Sequence, residues 1–146
     1  MDTTSNSKIS KFFIPSKIWE SMQEHAARDA PLEACGLVSG RTKKGSFQAV
    51  SLIPTTNILH SSIRYQIDPH EQLNAFNEME AGGLELVAIY HSHPHGPEVP
   101  SPIDIKEAYY PDMIHLIWSA RSGAWNCRGF LIHNDTVREV GLIITM

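Results

Sequence analysis

The sequence predicts a single α/β domain in which helices lie on both sides of a largely central sheet. Three observations support this fold class. The chain has 146 residues, 42% of them hydrophobic, which suits one core. Segments with helical spacing of apolar residues alternate along it with segments typical of strands. No repeat interrupts the alternation, so we expect one domain over residues 11–146, preceded by a flexible polar tail over residues 1–10.

The elements of the first half follow from local signals. Apolar residues at helical spacing after Pro15 predict a first helix over residues 16–29. Two strands are expected near residues 34–39 and 47–54, joined by the turn-forming segment RTKKG. The alternating segment IRYQID, at residues 63–68, predicts a further strand.

The second half begins with a helix over residues 69–82, which starts at a proline and ends at a glycine pair. An apolar strand follows at residues 84–90, and a short helix is expected from residue 101. The segments MIHLIWSA, WNCRGFLIH and TVREVGLIIT predict three final strands.

Composition excludes several classes of partner. The net charge is -4 and there is no basic cluster, which argues against nucleic acid as a partner. Neither a signal peptide nor an apolar stretch of membrane-spanning length is evident, so we expect a cytoplasmic protein with no membrane partner. Cys35 and Cys127 form no CxxC pair, which fits a reducing compartment and small buried residues better than metal ligands.

Candidate ligands are concentrated in the segment IYHSHPHGPEVPSPID. His91 and His93 come directly after the apolar run of the predicted strand. They are two residues apart, so their imidazoles project to the same side if the extended backbone continues through them. Ser101 is a suitable N-cap for the following helix, which puts Asp104 in its first turn. Three nitrogen and oxygen ligands with an open fourth position are typical of a catalytic zinc site.

Each part of this pattern also has a purely structural interpretation. Ser101 and Asp104 match a capping box, in which both side chains bond the helix end. A pair of surface histidines is more often solvated than ligated. Their position at the end of an apolar strand, with an acid nearby, favours the metal site. His95 is interpreted as a loop residue and His115 as one of several dispersed histidines.

The same residues resemble a known family. The string HSHPHGPEVPSPID fits the JAMM (MPN-plus) metalloprotease signature, H-x-H-x7-S-x2-D, at every defined position. The segment PLEACGLVSG is similar to the usual setting of the family's upstream glutamate, here Glu33. The similarity covers roughly residues 12–144 and is greatest to small stand-alone bacterial and archaeal members. The resemblance implies a cytidine-deaminase-like α/β/α sandwich with a mixed central sheet.

The family's residue roles apply to this chain only at the positions that match the family's motif. The resemblance implies Zn²⁺ held by His91, His93 and Asp104, and catalytic roles for two further residues. Glu33 would take a proton from the attacking water and pass it to the leaving amine. Ser101 would donate a hydrogen bond to the developing oxyanion. Considered without the family, Glu33 would be interpreted as a solvated or salt-bridged loop acid.

The resemblance also implies a substrate class. JAMM enzymes cleave, with a zinc-activated water, after the C-terminal Gly-Gly of ubiquitin-like or sulfur-carrier proteins. The three predicted strands nearly use up the 42 residues after Asp104, so we expect no long second insertion of the kind that ubiquitin-chain-cleaving members have. This favours a small bacterial carrier. The carrier's identity, the choice between peptide and isopeptide bond, and the oligomeric state stay open.

Two functions of other classes are considered. A non-catalytic MPN scaffold binds partners through the same fold, but such members usually lack part of the metal set, which is complete here. A zinc deaminase needs a P-C-x-x-C segment. This chain has none.

Overall fold

The computed structural model describes residues 9–108 and 112–146. Within these ranges the chain forms three helices and seven strands. In chain order they are β1 (Lys11–Pro15), α1 (Ser16–Asp29), β2 (Cys35–Lys43), β3 (Ser46–Thr55), α2 (Pro69–Gly82), β4 (Glu85–His93), α3 (Pro102–Lys106), β5 (Ile114–Ser119), β6 (Asn126–His133) and β7 (Thr136–Thr145). None of the helices in these ranges has the length and hydrophobicity that crossing a bilayer requires.

The two long helices have the predicted bounds. Asp68 caps α2, because its side chain accepts hydrogen bonds from the backbone N–H groups of His70 and Glu71. Gly83 ends it in the left-handed conformation, with φ of 69°. These are local signals, which explains why the sequence was sufficient to place both ends.

Two strand assignments differ from the prediction. The segment at residues 63–68 is not a strand; its β-pairing is limited to an isolated bridge between Asn57 and Ile67. Conversely, β1 was not predicted, because its five residues are stabilised by parallel pairing with β3 and β7, which are distant in sequence. Of the predicted tail, residues 1–8 lie outside the described ranges. Ile9 is buried, and the Ser10 N–H donates to the Gly45 carbonyl at 3.0 Å.

The seven strands form one mixed sheet in the order β1-β3-β2-β4-β5-β6-β7. β1 runs parallel to β3 and β7, and β4 parallel to β5, while the other neighbours are antiparallel. The predicted α/β class and mixed sheet are therefore confirmed. The sandwich is not what is observed, since pairing of β1 with β7 closes the sheet into a barrel-like form.

Helices pack on opposite faces of this sheet. Residues of all seven strands join α1 in the larger core cluster, which contains the fully buried Tyr90 and Trp118. The smaller cluster joins α2 to Leu37 and Ile89. Because side chains alternate along a strand, Ile89 and its neighbour Tyr90 lie on opposite faces. The histidine-containing segment at the end of β4 thus emerges from a strand that is covered on both sides.

Gly36 provides a test of this packing. It lies opposite Tyr90, and a Cβ at Gly36 would overlap the Tyr90 ring, whose hydroxyl is held 2.7 Å from His25 Nδ1. We expect Gly36→Ala to lower the free energy of unfolding by about 1–3 kcal/mol through overpacking. Gly82→Ala is the matched control, because only Leu84 carbons at 4.0 Å surround that position. Urea denaturation showing equal stabilities for the two variants would contradict the packing argument.

Candidate metal centre

The pairing of β2 with β4 brings Glu33 to the histidines. Cys35 lies opposite His91 in this antiparallel pair. The pairing continues outward, since the Ser92 N–H donates to the Ala34 carbonyl at 3.0 Å and the Ala34 N–H donates to Ser92 Oγ at 2.8 Å. Glu33, one residue further, therefore lies beside His93. The potential ligand atoms of Glu33, His91 and His93 all lie within 4.8 Å of one another.

Three donor atoms converge at the end of β4. Nε2 of His91 and Nε2 of His93 are 3.0 Å apart, and Asp104 Oδ2 lies 3.1 Å from the first and 3.0 Å from the second. Alternation along β4 puts the two imidazoles on one side, and α3 carries the carboxylate to them. The structure thus brings together all three residues that were predicted as metal ligands. Their role as ligands stays a prediction.

Asp104 also takes part in the capping box that the sequence suggested. Its backbone N–H donates to Ser101 Oγ at 3.0 Å, and its Oδ2 accepts from the Ser101 N–H at 2.8 Å. The capping interpretation and the metal-site interpretation are therefore compatible, because one carboxylate oxygen faces both the helix end and the imidazoles. Ser101 Oγ accepts in this bond, so its hydroxyl proton can be donated elsewhere.

The donor set fits zinc in chemistry and in spacing. Two imidazole nitrogens and one carboxylate oxygen are zinc ligands at about 2.0–2.2 Å, which in a tetrahedron places donor atoms about 3.3 Å apart. The observed separations of 3.0–3.1 Å need only a small outward shift to reach that value. Three protein ligands also leave a fourth position of the kind that catalytic sites use.

Burial shapes the acidity of both carboxylates. Desolvation raises the pKa of Glu33 to about 7, an effect that His93 opposes and Asp104 reinforces. Glu33 is only 3% exposed, and its Oε1 has no hydrogen-bond partner among the residues described. Burial also acts to raise the pKa of Asp104, but the neighbouring His91 and His93 and the Ser101 N–H hold that pKa well below its usual range. Asp104 is consequently ionised.

The two histidines differ in their surroundings. Burial lowers the pKa of His91, and Asp104 only partly offsets that effect. Burial also acts to lower the pKa of His93, yet hydrogen bonds to Asp104 and to the Pro97 carbonyl leave it raised. Nδ1 of His93 donates to that carbonyl at 2.9 Å, which directs Nε2 toward the other donors. An imidazole whose Nδ1 is held in this way, as that of His93 is, has its Nε2 suited to bind metal.

A cavity of about 410 Å³ opens directly beside Asp104. Its walls are mainly apolar, and its lining includes Tyr65, Ile67, Ile89 and His115. His115, interpreted from the sequence as one of several dispersed histidines, is thus part of the cavity lining. Its imidazole is 5% exposed, and burial lowers its pKa to about 4. His95, by contrast, is an exposed loop residue, as predicted.

Two residues near the centre had no signal in the sequence. Tyr65 stacks on His91, with ring centroids 4.5 Å apart and an angle of 24° between the planes. Asn57 is buried and bonds the backbone on both sides of Tyr65. The alternation in IRYQID pointed to a strand and so concealed the contact of Tyr65 with His91.

Comparison with known proteins gives consistent matches. Residues 15–128 match the family model of prokaryotic homologs of the JAB domain. A probable TtuB-protein conjugate cleaving protease of Thermus thermophilus is 42% identical over 133 residues, which are 90% of this chain and 82% of the relative. A CysO-cysteine peptidase of Mycobacterium tuberculosis is 38% identical over 108 residues, 74% of this chain and 73% of the relative.

A solved structure agrees with these relatives. The solution structure of a protein from Desulfitobacterium hafniense superimposes with a TM-score of 0.84 at 34% identity and covers 92% of both chains. Similarity at this level, over nearly the whole chain, extends to the fold as well as to the sequence. Together with the family match, it shows that this chain belongs to the prokaryotic JAB/JAMM family.

Proposed function

We propose that this chain is a zinc-dependent peptidase that hydrolyses the bond after the C-terminal Gly-Gly of a ubiquitin-like or sulfur-carrier protein. The observation that carries the proposal is the convergence of His91, His93 and Asp104 within 3.1 Å, with the buried carboxylate of Glu33 beside them. Relatives named as a conjugate-cleaving protease and a carrier-cysteine peptidase support the substrate class.

Hydrolysis of an amide needs a better nucleophile and a better electrophile than water and an amide provide. His91, His93 and Asp104 would hold zinc, which would supply Lewis acidity toward the attacking water and the amide carbonyl. Glu33 removes the proton from the attacking water and delivers it to the leaving amine. A carboxylate whose pKa burial has raised to about 7 is matched to both transfers near neutral pH.

Ser101 stabilises the charge that develops on the carbonyl oxygen. Its Oγ is fixed by the Asp104 N–H at 3.0 Å, which leaves the hydroxyl proton free to be donated. A donor that is already oriented before the reaction contributes most, since no reorganisation accompanies the charge development.

The substrate chain enters through the cavity beside Asp104. Gly-Gly can approach the metal ligands closely because neither residue has a side chain that would collide with them. The apolar lining, which includes Ile67 and Ile89, then takes up the residues that precede the glycines. Recognition comes mainly from the carrier and its tail, so selectivity for the released amine is loose.

The non-catalytic scaffold is the weaker alternative. A binding module has no use for an unpartnered carboxylate in a buried site, because such a group lowers stability unless it serves a function. Glu33 is such a group, since its Oε1 has no partner among the described residues.

Metal content is the first test. We expect one zinc per chain, and removal by a chelator should abolish peptidase activity while folding is largely kept, because the buried hydrophobic residues of both core clusters pack against one another without the metal. Elemental analysis, turnover and circular dichroism before and after chelation measure these effects. A protein without metal after zinc-replete purification would contradict the proposed function.

Glu33→Gln tests the proton transfer. The amide cannot accept the proton, so turnover should fall by about 100- to 10,000-fold while zinc stays bound. Glu85→Gln makes the same chemical change on an exposed residue at the other end of β4 and should leave turnover unchanged. If Glu33→Gln lost zinc instead, Glu33 would be a ligand; if it kept full turnover, Glu33 would not be the base.

The position of the cut tests the substrate class. We expect hydrolysis directly after the terminal Gly-Gly of a small β-grasp carrier, with several amino acids or short peptides tolerated on the far side. Mass spectrometry of products from carrier fusions, beside ubiquitin fusions, measures this. Cleavage before the glycines, or equal cutting of an unfolded protein that lacks Gly-Gly, would show a general peptidase.

A further inference from the structure

The two imidazoles of the metal centre are oriented by different means. Nδ1 of His93 bonds the Pro97 carbonyl at 2.9 Å, which fixes the plane of that ring. Nδ1 of His91 is buried and has no hydrogen-bond partner among residues 9–108 and 112–146. The His91 ring instead stacks on Tyr65, with centroids 4.5 Å apart and an angle of 24°, and meets the His93 ring edge-on at 4.8 Å. Tyr65 is therefore the ring contact of His91 that comes from outside the three predicted ligands.

Tyr65 lies in a segment without regular secondary structure, so something other than a ladder of backbone bonds must hold it. Asn57 does so. Its Nδ2 donates to the Arg64 carbonyl at 3.1 Å, and its Oδ1 accepts from the Gln66 N–H at 3.1 Å. The residues immediately before and after Tyr65 are thus attached to one side chain, which is itself 6% exposed.

The same amide reaches the proposed base. Nδ2 of Asn57 also donates to the Glu33 carbonyl at 3.1 Å, and Oδ1 accepts a second bond from the Leu59 N–H at 3.1 Å. With two donor and two acceptor contacts, the Asn57 side chain uses its full hydrogen-bonding capacity. A single buried amide therefore connects the backbone of Glu33 to the segment that carries Tyr65.

We propose that Asn57 is a positioning residue for the metal centre: it sets Glu33 through its carbonyl and sets His91 through the stacked ring of Tyr65. The inference rests on the proposed function for the roles of Glu33 and His91. Neither Asn57 nor Tyr65 takes part in bond breaking. Their effect is to keep the base and one ligand in a fixed mutual geometry, and loss of such outer contacts typically lowers metal affinity or activity by about 10- to 100-fold.

Variants of Tyr65 separate ring from hydroxyl. Tyr65→Leu removes the stacked ring and should weaken zinc affinity, measured by competition with a chromophoric chelator, by about 10- to 100-fold. Tyr65→Phe keeps the ring and should restore zinc affinity to within about twofold. The visible spectrum of the Co²⁺-substituted protein should change in Tyr65→Leu and match the unmodified protein in Tyr65→Phe.

Variants of Asn57 test its positioning role directly. Asn57→Asp keeps an acceptor and loses both donors, so the bonds to the Glu33 and Arg64 carbonyls disappear. We expect kcat on a Gly-Gly carrier fusion to fall by about 10- to 100-fold while KM changes little. Val140→Ala is the control for stability alone, because Val140 is a buried residue of β7 outside the site, and it should leave zinc affinity and kcat unchanged.

The outcomes distinguish this inference from the proposed function. Zinc affinity and the Co²⁺ spectrum need no substrate, so they test the positioning even if no carrier is cleaved. Unaltered zinc affinity in Tyr65→Leu together with unaltered kcat in Asn57→Asp would overturn it. The inference would also be overturned if Val140→Ala, at a loss of thermal stability similar to that of Tyr65→Leu, weakened zinc binding as much as Tyr65→Leu does. The effect of Tyr65→Leu would then be one of stability only.

Discussion

The backbone pairing of β2 with β4 is the constraint on which the site depends. It fixes Cys35 opposite His91 and thereby places Glu33 beside His93. The Ala34 and Ser92 bonds prolong the pairing to the point where Glu33 leaves the strand. A slip of one residue would turn His91 and His93 to the other face of the sheet, since side chains alternate along a strand. The burial of both faces of β4 opposes that slip, because the slip would also move Ile89 and Tyr90 out of the core clusters into which each of them packs.

The site concentrates polar groups in a place where the fold would be more stable without them. Glu33, His91 and His93 are all buried, and an incompletely paired polar group in such a position is destabilising. Asp104 reduces the penalty because it serves twice, as a helix cap and as a partner of both imidazoles. The short helix α3 has no buried residue of its own. Its position is therefore determined by the site more than by the core.

The proposed substrate access and the proposed chemistry lie in different parts of the molecule. The sheet and the start of α3 hold the groups proposed to bind metal and transfer protons, whereas the cavity has one wall in the irregular segment between β3 and α2. Such segments can vary without disturbing a core, so recognition can change while the chemistry is kept. Asn57 connects the two parts, so a change in this segment would also alter the positions of Glu33 and His91.

The sequence alone determined what depends on neighbouring residues. It predicted the bounds of α1 and α2, the shared face of His91 and His93, and the cap formed by Ser101 and Asp104, because proline, glycine, caps and alternation act within a few positions. The family resemblance singled out Glu33, but only the β2–β4 register brought it to the histidines. The tertiary structure also decided the closure of the sheet through β1 and the stacking of Tyr65 on His91. Both depend on contacts between residues far apart in the chain. The alternation of apolar and polar residues around Tyr65 predicted a strand that does not form. The Asn57 side chain instead bonds the backbone groups on either side of Tyr65, which a neighbouring strand would otherwise bond.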